Sequence, residues 1–261
     1  MKVAYVDVTL SGHHVKYLTA LFEADPNAIA ILPQKINQLP AERQFVVENT
    51  NALFQHPILY FRWLNNVYNI IKGRRINVVH FLYGDAMIRY FGFGMSKFKD
   101  YKRVVTFHQI RRHWLKDLSF WFLCKKFDVV VVHTKKLKND LYEMGIKNVK
   151  QIDYPCFLRD CSVELNNLRS LAIQKNAPIL LMIGILARYK GLDLLVDALH
   201  SVRENYHLIV AGYNQEYHKD EIQHYKEILK GHVTFDLHYL SEGQYVRYLS
   251  ETDFIVLPYS N

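Results

Sequence analysis

No apolar run in the sequence approaches the roughly 20 residues that a bilayer-spanning helix needs. The N-terminus, Met1-Lys-Val-Ala-Tyr-Val-Asp-Val8, lacks the charged cap and apolar core of an export signal and reads as a strand. Cysteine is scarce. The chain of 261 residues holds three, Cys124, Cys156 and Cys161, an odd number without Cys-x-x-Cys spacing. That pattern argues against a disulfide framework or a zinc site, and the cytosol is the expected compartment. Asp-x-Asp, a spacing that could offer two carboxylates to one metal ion, is also missing.

What is present is an ordinary globular balance, 50% apolar and 22% charged, which excludes a disordered tail or a fibrous repeat. Acids are unevenly lacking. Lys and Arg number 33 against 25 Asp and Glu, yet the stretch from Lys97 to Lys138 alone has 12 basic residues and 3 acids. One segment therefore carries the net charge and faces either an anionic partner or water.

Short β-rich runs alternate with helical patterns. The runs are Val3–Val8, Ala28–Leu32, Ile76–Leu82, Arg103–Phe107, Asp128–His133 and Val149–Ile152, then Ile179–Ile183, His207–Ala211, His232–Phe235 and Phe254–Leu257. Stretches such as Val129-Val-Val-Val132 do not alternate with polar residues, as suits strands of a parallel sheet buried on both faces. Leu192, Leu195, Val196 and Leu199 form one helical stripe. Ile110, Trp114, Leu118 and Trp121 form another, and Ser241-Glu-Gly-Gln244 is a capping box. Strand and helix in alternation predict an α/β fold with doubly wound parallel sheets.

The alternation breaks near Tyr154–Lys175. Two Rossmann-like domains are expected, residues 1–155 and 176–261, joined by a linker at 156–175. The second holds only four strands before the sequence stops after Leu257-Pro258-Tyr259 and is expected to be incomplete.

The most informative stretch is Ile183-Gly-Ile-Leu-Ala-Arg-Tyr-Lys-Gly-Leu-Asp193. A buried strand ends near Gly184, a loop carries Arg188 and Lys190, and a helix starts at about Gly191. Free backbone N–H groups, a helix dipole and a lysine make such a place suitable for a diphosphate. A solvated basic turn is the other reading.

The segment resembles the Gly-(Arg)-x-x-x-x-Lys-Gly stretch of family 4 glycosyltransferases, retaining enzymes of the two-domain GT-B type. Val78-Val-His-Phe-Leu-Tyr-Gly84, Val104-Val-Thr-Phe-His108, Phe127–Lys135, Leu208-Ile-Val-Ala-Gly212 and Thr252–Tyr259 are similar to other pieces of the family, in matching order. The resemblance implies a hexosyltransferase of polysaccharide biosynthesis. It would move a sugar from a nucleotide-diphosphate donor to a saccharide or lipid-linked acceptor, without a cofactor or a metal. Lys190 and Gly184 would meet the donor phosphates, with Arg188 as a second cation, because Ile185 stands where the family has its arginine. Gly12, in the loop after the first strand, would let backbone approach the diphosphate. His13 and His14 follow it and either bond phosphate or open the next helix, the latter being preferred for His14. His108 would serve as the catalytic-centre histidine that orients an acceptor hydroxyl or bonds the donor sugar. A structural histidine is its plain alternative. The family's paired glutamates fall beyond Asn261, so the chain is expected to be a truncated copy.

The basic segment includes Arg111, Arg112, Trp114 and Lys116 among aromatic residues. Apolar rings beside Lys and Arg suit the headgroup region of an anionic membrane, and peripheral contact at its inner face is expected on the acceptor side. Tryptophans facing the core with merely solvated cations is the competing reading. No nucleic-acid-binding module accompanies the charge, and no nucleic-acid partner is expected. Against the enzyme stands a non-catalytic domain pair that binds membrane or a partner protein.

Overall fold

The structure is a computed structural model. It describes residues 1–10, 14–48, 56–108, 114–154 and 177–259, with the side chains of Trp114, Leu115 and Lys116 outside that description. Gly12, His13, Arg111, Arg112 and the expected linker 156–175 therefore lie outside the described residues, as do the side chains of Trp114 and Lys116. The chain divides into two compact units, Met1–Phe157 and Leu158–Asn261.

The first unit runs β1 (Val3–Val6), α1 (His14–Ala24), β2 (Ile29–Leu32), β3 (Gln44–Val46), α2 (Pro57–Ile71), β4 (Val78–Phe81), β5 (Lys102–Phe107), α3 (Trp114–Cys124), β6 (Val129–Val132), α4 (Lys135–Glu143) and β7 (Val149–Gln151). Seven strands form one parallel sheet in the order β3-β2-β1-β4-β5-β6-β7. Successive residues of β1 point to opposite faces, as strand geometry requires. Ala4 and Val6 pack with Tyr60, Trp63 and Leu64 of α2, while Val3 and Tyr5 pack with Leu18 and Phe22 of α1. Both faces are covered, which is why the strands read as continuous apolar runs. The order reverses between β1 and β4, and the crevice beyond the carboxyl ends of these strands is where such sheets place ligands.

The second unit contains β8 (Ile179–Ile183), α5 (Leu192–His200), β9 (His207–Ala211), α6 (Lys219–Ile228), β10 (Val233–Asp236), α7 (Glu242–Ser250) and β11 (Phe254–Ile255). Its parallel sheet has the order β10-β9-β8-β11, with the reversal between β8 and β11. The stripe Leu192, Leu195, Val196 and Leu199 is buried against Met182, Leu208 and Val210. Ser241 Oγ accepts from Gln244 N at 3.2 Å, and Gln244 Oε1 accepts from Ser241 N at 2.9 Å, so the capping box opens α7. Two Rossmann-like parallel sheets, the α/β architecture read from the sequence, are what the chain forms.

Three details differ from the expectation. β3 was not foreseen, because Gln-Phe-Val carries no apolar run and its Gln44 side chain instead bonds the backbone of Ile36 and Leu39. The strand expected over Phe254–Leu257 is shorter, Phe254–Ile255, with one further backbone bond from Val256 N to Leu181 O at 2.8 Å. On α3 the buried face is not the one expected to include Leu118, which is 50% exposed. Ser119, Phe120, Leu123 and Cys124 are buried instead, with Phe120 against Phe107 at 4.4 Å. The helix sequence Trp-Leu-Lys-Asp-Leu-Ser-Phe-Trp-Phe-Leu-Cys is apolar nearly all round, so periodicity alone does not choose the inner face.

Candidate functional site

In the first unit, polar groups gather at the carboxyl ends of β1, β4, β5 and β6. Asp7 follows β1 and is almost completely buried. Its carboxylate accepts backbone N–H groups from Val8 at 2.8 Å and Thr9 at 3.2 Å, and its second oxygen lies 2.9 Å from His14 Nδ1. A buried carboxylate needs such donors. The pairing locks the His14 ring at the start of α1, edge-on to Tyr83 at 4.9 Å and to His108 at 5.4 Å.

His108 follows β5. Its backbone N–H donates to the Asp85 carboxylate at 3.1 Å, and its Nε2 donates to the Leu82 carbonyl at 2.9 Å. A carbonyl only accepts, so Nε2 carries a proton. His133 follows β6, 5.1 Å from His108 ring to ring. Its Nδ1 donates to Ile152 O at 3.0 Å, which leaves Nε2 as a buried acceptor that no described group bonds. Tyr17 lies edge-on to both rings, at 5.8 Å and 5.3 Å, and stacks on Tyr154 at 5.5 Å. Burial raises the Tyr17 phenol above its ordinary value, while a bond from Thr106 opposes the rise. Thr106 Oγ1 is also 2.7 Å from His80 Nε2. Burial, helped by nearby His133 and His108, lowers His80 to about 3.

Of this group the sequence reading named His108 and His14, the latter preferred as the opener of α1, where it stands. Asp7, Tyr17 and His133 were missed. The signal that could have found Asp7 and His133 is position: each directly follows a parallel strand, the end at which this architecture presents functional groups.

In the second unit, β8 ends at Gly184, whose φ of +108° disfavours any L side chain. Gly184 N donates to Ala211 O at 2.9 Å, and a Cβ built on Gly212 would lie 2.1 Å from Gly184 O. The two strand ends thus touch through bare backbone. A one-turn 3-10 helix, Arg188–Lys190, follows, and Gly191 in the left-handed region (φ 72°) starts α5 without a side-chain cap. A Cβ on Gly191 would meet Pro258 O at 2.0 Å, so this turn adjoins the loop after β11, at the sheet reversal.

Lys190 Nζ sits over Gly184, where a Cβ would come within 2.8 Å of it, and donates to Ile183 O at a long 3.4 Å. Partial burial lowers its pKa. Among the described residues it has no carboxylate partner. Arg188 behaves differently. Its guanidinium bonds both Glu221 oxygens at 2.6 and 2.8 Å and stands 3.7 Å from Asp193. It also covers the Tyr217 ring at 4.2 Å, while its backbone N–H donates to Glu216. Those acids already neutralise its charge, and the contacts fasten the turn that carries Lys190. Gly184, Arg188 and Lys190 therefore lie on one turn before α5, whose start has no side-chain cap, although Leu192 N–H bonds the Tyr217 hydroxyl. Ile185, 48% exposed, supplies no charge. No three His, Cys, Asp or Glu side chains among the described residues assemble as ligands for a metal ion.

Residues 164–261 match the protein family described as "Glycosyl transferases group 1". No curated protein sequence matches the chain. The fold is shared with a glycosyltransferase from Rickettsia africae, 18% identical, with 99% of this chain and 73% of that one covered and a TM-score of 0.73. It is shared with HepE from Anabaena in complex with UDP (14% identity, 100% and 75% covered, TM-score 0.68). A UDP-GlcNAc 2-epimerase from Neisseria meningitidis bound to UDP-GlcNAc is similar too (12% identity, 98% and 76% covered, TM-score 0.63). The structural likenesses establish two Rossmann-like sheets of the GT-B kind, and the C-terminal stretch is similar to the glycosyl-transferase group 1 family.

Proposed function

We propose that the protein is a retaining glycosyltransferase that transfers a hexose from a nucleotide-diphosphate sugar to a saccharide or lipid-linked acceptor, in polysaccharide biosynthesis. The observation that carries this reading is the Lys190 ammonium, held over Gly184 without a carboxylate partner among the described residues and beside the uncapped start of α5. A departing diphosphate gathers negative charge as the glycosidic bond breaks. A preplaced cation and aligned N–H groups stabilise that charge without reorganising. Desolvation of Lys190 favours an anionic partner, because bringing one restores the charge balance that burial removed.

Arg188 acts here as the brace of the turn, and Gly12 as a point of close backbone approach. His108, its Nε2 proton tied to Leu82, positions a hydroxyl. Neutralisation by Lys190 and backbone N–H groups lets the reaction run without a metal. Because an epimerase shares the fold, the architecture by itself does not separate transfer from other nucleotide-sugar chemistry. The match over 164–261 favours transfer.

The reading includes peripheral attachment at the cytoplasmic face of a membrane, with Arg111, Arg112, Trp114 and Lys116 toward it. Its support is the basic excess of that segment. Among the described residues no helix is long and apolar enough to cross a bilayer. A second reading, a non-catalytic domain pair, draws on Ile185, which leaves one family cation unsupplied at the strand end.

Turnover separates the two. Supplied with nucleotide sugars and saccharide or lipid-linked acceptors, the enzyme releases nucleoside diphosphate and keeps the donor's anomeric configuration in the product, read by NMR. Binding of a nucleoside diphosphate without release from any donor favours the non-catalytic reading. Failure to bind any nucleoside diphosphate overturns both uses of Lys190.

A further inference from the structure

Phe91 and Phe93 belong to a short turn in the first unit, after the 3-10 segment Gly84–Tyr90. Their rings lie 6.4 Å apart, and Phe91 is 6.2 Å from Phe122 of α3. Phe91 adopts φ 52°, a left-handed backbone that a bulky residue rarely takes. Two glycines seat the turn between helices. A Cβ on Gly92 would lie 2.8 Å from Lys126 Cγ, and one on Gly94 would lie 2.8 Å from Leu64 and 3.3 Å from Phe61 of α2. The turn therefore holds its phenylalanines outward between Phe61 on one flank and Phe122 on the other. Exposure runs from 36% at Phe91 to 64% at Phe93, so this is a clustered apolar surface rather than scattered single residues.

Cations ring it. Residues 56–126 hold 14 Lys and Arg against 3 Asp and Glu. Lys97 bonds Asn65 on α2, Lys125 lies 3.4 Å over the Trp121 ring, and the Lys126 stem lies where a Gly92 Cβ would be. None of these three has a carboxylate partner among the described residues. Their contacts keep the ammonium groups at the edge of the aromatic surface.

We propose that this surface, Phe61, Phe91, Phe93 and Phe122 rimmed by Lys97, Lys125 and Lys126, docks on an anionic lipid bilayer. Aromatic groups enter the boundary between headgroups and acyl chains, and the lysines meet the anionic headgroups. Charge complementarity favours this occupant: a bilayer offers an apolar interior and a negative surface in the same arrangement. The inference deepens the membrane part of the proposed function and rests on it, adding a described surface to residues 111–116.

The test is flotation of the full chain at low salt with phosphatidylcholine vesicles, with and without phosphatidylglycerol. The unaltered protein floats with the anionic vesicles. A Phe93→Ser, Phe122→Ser variant loses binding by about tenfold or more, while its near-UV circular dichroism and nucleoside-diphosphate binding stay unchanged. A Phe93→Trp variant gains an indole signal that is quenched by lipids brominated on the acyl chains. It keeps that quenching when Arg111, Arg112 and Lys116 are also replaced by Ser. Three results overturn the surface: the double variant floating like the parent, the indole introduced by Phe93→Trp remaining unquenched, or an oligonucleotide being bound while neither vesicle is. Because diphosphate binding is measured on the same samples, failure of the donor reading is seen separately.

Discussion

Gly184 and Lys190 form a pair in which the absence of a side chain matters as much as its presence. A methyl group at position 184 would take up a backbone with φ +108° and approach the ammonium to 2.8 Å. Gly184→Ala is therefore expected to cost about 1–2 kcal/mol of stability in urea unfolding. It also weakens nucleoside-diphosphate binding, because the lysine must turn aside. An alanine that leaves both quantities unchanged would show that the lysine does not depend on the glycine. His80 makes a different kind of prediction. Its folded value is about 3, against about 6.5 in an unfolded chain. Above the unfolded value the ring is neutral in both states and contributes no pH dependence. Below it only the unfolded chain takes up the proton. Stability of the first unit then falls as pH drops from about 6.5 towards 3, at up to about 1.4 kcal/mol per pH unit. His80→Gln, which still offers Thr106 a partner, flattens that slope. An acid limb of equal steepness in the variant contradicts the assignment.

The elements were legible in proportion to how far one side of each is buried. The stripe of α5 and the capping box of α7 could be placed from spacing because one face alone is apolar. The inner face of α3 could not, since Leu118, Trp121 and Phe122 compete with Phe120 and Leu123. β3 escaped notice because pairing with β2 and the bonds of Gln44 hold it, neither of which leaves a hydrophobic run. For the candidate sites, Lys190 was singled out from its place between a strand end and a helix start and His108 through resemblance, both of which mark positions but not partners. Nothing in the sequence revealed that Arg188 would be neutralised by Glu221, 33 residues away. The same holds for His133, brought beside His108 by the pairing of β5 with β6.

Taken together, the two sheets each bring their polar groups to the carboxyl end of the strands, and each does so with different chemistry. The first gathers imidazoles and phenols suited to hydroxyl groups; the second offers a cation and bare backbone suited to phosphate. In the proposed transfer the first set would serve a hydroxyl acceptor and the second a diphosphate donor. The excess of positive charge lies in the first unit, away from Lys190 in sequence, so attraction to a bilayer and affinity for a diphosphate are separable by mutation. The account depends most on Lys190 binding phosphate. Calorimetric titration of uridine and adenosine diphosphates into the unaltered protein and into Lys190→Ala tests it most directly. Loss of a charge-assisted bond of about 1.5–3 kcal/mol predicts affinity lower by about 10–100-fold in the variant, with its melting temperature unchanged in the absence of nucleotide. Equal affinity in the two proteins would contradict the claim.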